Sequence, residues 1–89
     1  PEDLMNQIGY GYLRQNNTDE AIRVFKRNTE IYPNSANVYD SLAEAYEKSG
    51  AMNNAKDNYE RAFRMAEQQG NTQLALSSKA NWERLTAKK

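Results

Sequence analysis

Apolar residues recur along this chain at intervals of three and four rather than two, so its segments read as amphipathic helices and none as a strand. Leu4/Met5, Ile8, Tyr12 and Leu13 form the first stripe, behind Asp3 as the expected cap. A second stripe, Ala21, Ile22, Phe25, Thr29 and Tyr32, follows a cap expected at Thr18, with Asp19 and Glu20 in the first turn where the helix dipole favours anions. Arg23, Lys26, Arg27 and Glu30 take its opposite face, and Pro33 ends it. The third stripe is Val38/Tyr39, Leu42, Ala43, Ala45 and Tyr46, opened by Ser35 and closed by Gly50, where a left-handed stop belongs. A fourth, from about Met52 to Gln69, turns Ala55, Tyr59, Ala62, Phe63 and Ala66 inward and stops at Gly70. The fifth, capped by Thr72, carries Leu74/Ala75, Ser78, Trp82 and Leu85. Five helices joined by four short turns predict an all-α chain.

The segments repeat. Subtracting 34 pairs Tyr46 with Tyr12, Ala55 with Ala21, Tyr59 with Phe25, Leu42 with Ile8, Ala43 with Gly9 and Arg61 with Arg27. The spacing has a steric logic: a small residue on one helix lets its partner come close, and a ring from that partner fills the adjacent hole. Gly9 with Ala21 and Ala43 with Ala55 are the small members; Tyr12, Phe25, Tyr46 and Tyr59 are the large ones. Gly9 and Gly11, tolerated inside a helix, mark places where another backbone passes close. The GYG run they form is no phosphate loop, since no strand precedes it.

A 34-residue period of helix-turn-helix units is the signature of the tetratricopeptide repeat, and the residues resemble that family closely. Ile8, Gly9, Tyr12, Ala21, Phe25 and Pro33 fall at its signature positions in the first copy, and Tyr39, Leu42, Ala43, Tyr46, Gly50, Ala55, Tyr59 and Ala62 in the second. The departures are Met5 for an aromatic, Asn16 for a turn Gly, Asn28 for a small Ala and Glu67 for the closing Pro. The resemblance implies a right-handed α-solenoid in one domain, residues 1–89: repeat one over 2–35, repeat two over 36–69 and a capping helix over 72–87. Such arrays need about three repeats, and the fifth helix is expected to substitute for the third. Leu76 matches Leu42, but Ala80 stands where Tyr46 predicts a ring, so a cap with one apolar side fits better than a further repeat.

Composition narrows the chemistry. Twelve basic and twelve acidic residues cancel, leaving no electrostatic footprint for nucleic acid or an anionic membrane. With no Cys and no His, the usual zinc sites and Ser-His or Cys-His nucleophile pairs are excluded. The absence of Cys leaves the compartment open. No apolar run reaches the ~20 residues that span a bilayer. Glu44 and Glu47, one turn apart, are the best carboxylate pair, but nothing in the sequence buries either as acid catalysis requires. No catalytic, cofactor-binding or metal-binding residue is expected.

In this family the first helix of each pair lines a concave groove. Carried over by position, the resemblance assigns that groove Asp3, Asn6, Tyr10, Leu13 and Arg14, then Asn37, Asp40, Glu44, Glu47 and Lys48. One subset grips the C-terminal carboxylate of heat-shock chaperones with a Lys/Asn clamp; the matching positions here are Asn6, Tyr10 and Ser41, so the clamp is absent. The expected function is a non-catalytic protein-interaction module that holds a peptide or partner domain. Four acidic groove residues against two basic ones favour a partner of basic character, with Tyr10 and Leu13 as apolar anchors. The alternative is an accessory or dimerisation tail: IYPNSANVYDSLAEAYEKSG resembles C-terminal tails of bacterial serine hydrolases and esterases, and a chain opening on Pro rather than Met reads as a piece of a longer one. Leu4, Met5 and Ile8, at the uncapped end, are the expected surface for a homodimer or an upstream domain.

Overall fold

In the computed structural model, which describes residues 2–87, five helices follow one another: α1 (Glu2–Arg14), α2 (Thr18–Ile31), α3 (Ala36–Ser49), α4 (Met52–Gln68) and α5 (Thr72–Ala87). All five expected helices are present. The expected cap of α3, Ser35, holds its position, but those of α1, α2 and α5 differ. Asn17, not Thr18, caps α2, its Oδ1 accepting from the Glu20 amide at 3.4 Å. Asn71, not Thr72, does the same for α5, through the Leu74 amide at 3.2 Å. Asp3 lies inside the first turn of α1 rather than ahead of it. Ser35 holds the cap position of α3, but its hydroxyl instead donates to Glu2 Oε2 at 2.8 Å and ties the turn to α1. In the first two cases an amide side chain one residue earlier reaches the open N–H groups as well as a hydroxyl would.

Three helix ends are built alike. Gly50 at φ +91° and Gly70 at φ +75° take the left-handed stop, and the next amide reaches back to Tyr46 and Ala66 carbonyls respectively. Asn16, at φ +61°, does this for α1, with the Asn17 amide bonded to the Tyr12 carbonyl at 2.8 Å. Asn is the residue besides Gly that tolerates this conformation, which explains why the departure from Gly costs the turn nothing visible.

Each helix packs on the next in sequence, while α1, α3 and α5 also touch along one face. The core is therefore a row of small clusters. Phe25 is fully buried with Leu13, Ala21, Leu42 and Ala45; Tyr59 closes a second cluster with Ala43, Ala55 and Leu85. Gly9 lies directly beneath the Phe25 ring, where an added Cβ would stand 2.4 Å from Cε1. Tyr12 and Tyr46, expected as full core, are half-buried at the edges of these clusters. Ile8 is 45% exposed, because no described helix covers that side of α1. Asn28, where a small Ala was the pattern, is fully buried; its Nδ2 donates to the Glu2 carbonyl at 3.2 Å and its Oδ1 has no partner.

The fifth helix aligns poorly at an offset of 34 for a geometric reason. α4 has 17 residues against 14 in α2, so α5 is displaced by about one helical turn. Across α1 and α3 the paired residues are 34 and 35 apart; across α3 and α5 they are 37 and 38 apart. At an offset of 37, Ser78 falls on Ser41 and Ala75 on Val38, all four buried. Leu76, Ala80 and Glu83 then fall on Tyr39, Ala43 and Tyr46. All three are exposed in α5.

Candidate partner-binding face

Along the side where α1, α3 and α5 meet, equivalent residues repeat one arrangement. Ser41 Oγ donates to Asn6 Oδ1 at 2.6 Å, and Ser78 Oγ donates to Asp40 Oδ1 at 2.7 Å. Asn6 and Asp40 are 34 apart, so the same rung occurs twice: a buried serine on one helix against a polar residue on the helix before it. Two longer rungs follow. Tyr10 Oη donates to Glu44 Oε1 at 2.9 Å, and Arg84 clasps both oxygens of Glu47 at 2.6 and 2.9 Å while Tyr59 Oη adds a third bond at 2.9 Å. These rungs add side-chain bonds to the apolar contacts that already join the three helices.

The electrostatics follow from burial. Burial pushes the Asp40 carboxyl above its usual range, with the Ser78 hydroxyl opposing. Burial is also the main cause that raises Tyr10, with the Glu44 carboxylate adding to it, so the phenol stays protonated and keeps donating. Tyr59 is raised by burial and then by Glu47, and the Glu47 hydrogen bond holds Arg84 firmly protonated. Asp40 and Glu44 have hydroxyl partners and, among the described residues, no paired cation, so negative charge collects at the middle of the face.

The residues expected here do not share one fate. Asn6, Tyr10, Asp40, Glu44 and Glu47 come together in the rungs just described. Asn37, exposed, lies with Gln73, Leu74 and Ser77 in a notch of about 430 Å³ between α3 and α5. Arg14 and Lys48 are exposed in the last turns of α1 and α3, and Asp3 in the first turn of α1. Leu13 is a correction. It is 4% exposed within the Phe25 cluster and offers no surface to a partner. Tyr10 also differs: rather than pointing off the apolar stripe it rests edge-on against Phe25, centroids 5.1 Å apart. Arg84 was missed, because subtracting 34 did not bring α5 onto the face. It reduces the acidic excess from four against two to four against three, since the Glu47 charge is matched.

A second depression lies elsewhere. It measures about 710 Å³ and lies between α2 and α4 over Tyr39, Leu42 and Tyr46. Its charges are largely engaged: Arg64 pairs with Glu60 at 3.0 Å and Arg61 stacks over Tyr39 at 5.1 Å. Repeated rungs and an unmatched carboxylate pair single out the α1–α3–α5 side instead.

Successive antiparallel helix pairs with matched small and large residues, stacked so that alternate helices share one face, define an α-solenoid of helix-turn-helix repeats. The tetratricopeptide repeat profile matches residues 2–68, and the chain belongs to that family. Among solved structures, a tetratricopeptide repeat domain protein from Salinibacter ruber, determined in solution, superposes with a TM-score of 0.91 at 17% identity, covering 100% of this chain and 90% of that one. A crystal structure of such a domain protein from the same organism gives 0.88 at 17%, covering 100% of both chains. PcrH in complex with the chaperone binding region of PopD gives 0.89 at 18%, covering 98% of this chain and 66% of that chain. At these identities the likeness is one of fold. No match is found among curated protein sequences. No described helix is long and apolar enough to cross a membrane, and no described cluster of acidic residues could hold a metal ion.

Proposed function

We propose that this chain is a non-catalytic docking module whose concave face, formed by α1, α3 and α5, holds an extended segment of another protein with a Lys or Arg at its centre. The observation that carries the reading is the pair Asp40 and Glu44 at the middle of that face, each held by a hydroxyl and neither paired with a cation among the described residues. A concave, partly desolvated carboxylate pair attracts a cation more strongly than scattered surface charge does. Around it, Asn37 and Gln73 supply amides for a peptide backbone, and the half-buried Leu74 offers an apolar edge that Leu13 does not. PcrH, similar in fold, takes a region of PopD, which supports a peptide as the kind of partner. We assign residues 2–35 and 36–69 to two repeats and 72–87 to a closing helix.

Exposed ion pairs add only about 0.2–1 kcal/mol each, so binding is weak and falls with salt. Fluorescence anisotropy with two labelled peptides, alike except that three central lysines are replaced by glutamates, tests this. The lysine peptide binds more tightly at low salt, the preference shrinks at high salt, and Glu44→Lys removes it. Equal binding of both peptides, or indifference to Glu44→Lys, contradicts the reading.

A further inference from the structure

The inference concerns the opposite side of α1 and is independent of the concave face. On α3, Val38, Ser41, Leu42 and Ala45 fall at helical spacing along one stripe and are between 0% and 5% exposed. Leu42 and Ala45 share a cluster with Ala21 and Phe25 of α2. Thirty-four residues earlier the same positions are Leu4, Gln7, Ile8 and Gly11. There Leu4 is 52% exposed and Ile8 is 45% exposed; Gln7 is exposed and Gly11 partly so. An added Cβ on Gly11 would meet no atom closer than an Arg14 guanidinium nitrogen at 3.9 Å, so the close approach that a helical glycine permits is unused.

The far end of the stack is different. At the α5 positions that correspond to Tyr39, Ala43 and Tyr46 stand Leu76, Ala80 and Glu83, with Lys79 between them. Only Leu76 there is large and apolar, and charge flanks it. One end of the stack keeps the large-and-small pattern that α3 uses to receive a helix, and the other has lost it. Leucine, isoleucine and glycine stand in α1 at the three positions where the internal copy buries valine, leucine and alanine.

We infer that Leu4, Ile8 and Gly11 form a docking surface for one amphipathic helix from outside these 89 residues. That helix is built like α2, with a small residue and an aromatic four positions later on its inner stripe. The occupant follows from the internal copy: the same interface exists between α2 and α3, and α1 repeats its receiving half. A second copy of this chain fits less well. Its own exposed stripe is the receiving half again, and its α5 end offers Leu76 between charges rather than a small residue and a ring.

The test uses the full chain with a second copy of residues 17–35 joined ahead of Glu2, so that the added helix meets α1 through the turn that now joins α2 to α3. Docking raises the denaturation midpoint and slows amide exchange in the middle of α1 by about tenfold or more. Leu4→Glu with Ile8→Glu removes both gains in the extended chain. In the unextended chain the same pair leaves the midpoint nearly unchanged, because both side chains are already exposed. An added helix that brings no protection, or protection that survives the double substitution, overturns the inference. Sedimentation of the unextended chain is the second arm. A concentration-dependent dimer abolished by Leu4→Glu makes a second copy the occupant and overturns the inference as stated.

Discussion

At the scale of single residues, glycines and rings decide stability. Gly9→Ala places a methyl group against a ring that is itself fully buried, so overpacking outweighs the helix propensity gained and the loss is about 1–3 kcal/mol. Gly11→Ala, two residues on, meets nothing and gains up to about 1 kcal/mol. Opposite shifts of the denaturant midpoint for two identical substitutions check this. Phe25→Ala and Tyr59→Ala each cost about 3–5 kcal/mol, and the half-buried Tyr12 and Tyr46 cost visibly less. Equal losses for all four rings would show that burial does not rank them. The fully buried rings were legible in the sequence because period and partner size agreed. The caps were not: at Asn17-Thr18 and Asn71-Thr72 two capping residues stand side by side, and local chemistry alone does not choose between them. Tyr10 also escaped, since helical spacing does not show that a ring beside the stripe can lean onto Phe25.

At the scale of elements, polar rungs join α3 to α5. Arg84→Ala removes a two-pronged contact whose arginine is partly exposed, so the cost is about 1 kcal/mol or less and shrinks in high salt. Urea melts at two salt concentrations read this directly. Asp40 behaves in the opposite sense to an ordinary ion-paired carboxylate. Its folded pKa lies above the unfolded one, so its ionised form opposes folding at neutral pH, and that opposition fades as pH falls through the folded pKa. Asp40→Asn, which keeps an acceptor for Ser78, is therefore more stable than the parent at pH 7, and the gap narrows towards pH 4. A gap that widens on acidification contradicts the burial argument. The placement of α5 was the part the sequence hid. Three additional residues in α4 shift it by about a turn, so a fixed offset of 34 misaligned it and left Arg84 out of the face. Reading α4 as longer than α2 was possible, but the register change it causes becomes apparent only once Ser78 is seen on Asp40.

At the scale of the whole molecule, two surfaces differ in character. The side shared by α1, α3 and α5 is cross-linked by side-chain bonds, with Asp40 and Glu44 at its middle; on the outer side of α1, Leu4 and Ile8 are exposed. The all-α repeat architecture was legible because small and large positions recur at one interval over most of the chain. The proposed site was legible only in part: position carried Asn6, Asp40, Glu44 and Glu47 onto the side that α1, α3 and α5 share, but placed Leu13 on a surface when its neighbours bury it. The most direct test of the central claim is an amide-shift map, recorded on the isotopically labelled chain during titration with the three-lysine peptide at low salt. Shifts that centre on Asp40 and Glu44 and spread to Asn6, Tyr10, Asn37, Ser77 and Asn81, with α2 and the outer turns of α4 unmoved, are the result predicted. Shifts centred instead on Lys26, Arg61 and Arg64 in the cleft between α2 and α4, or no shifts at all, would contradict it.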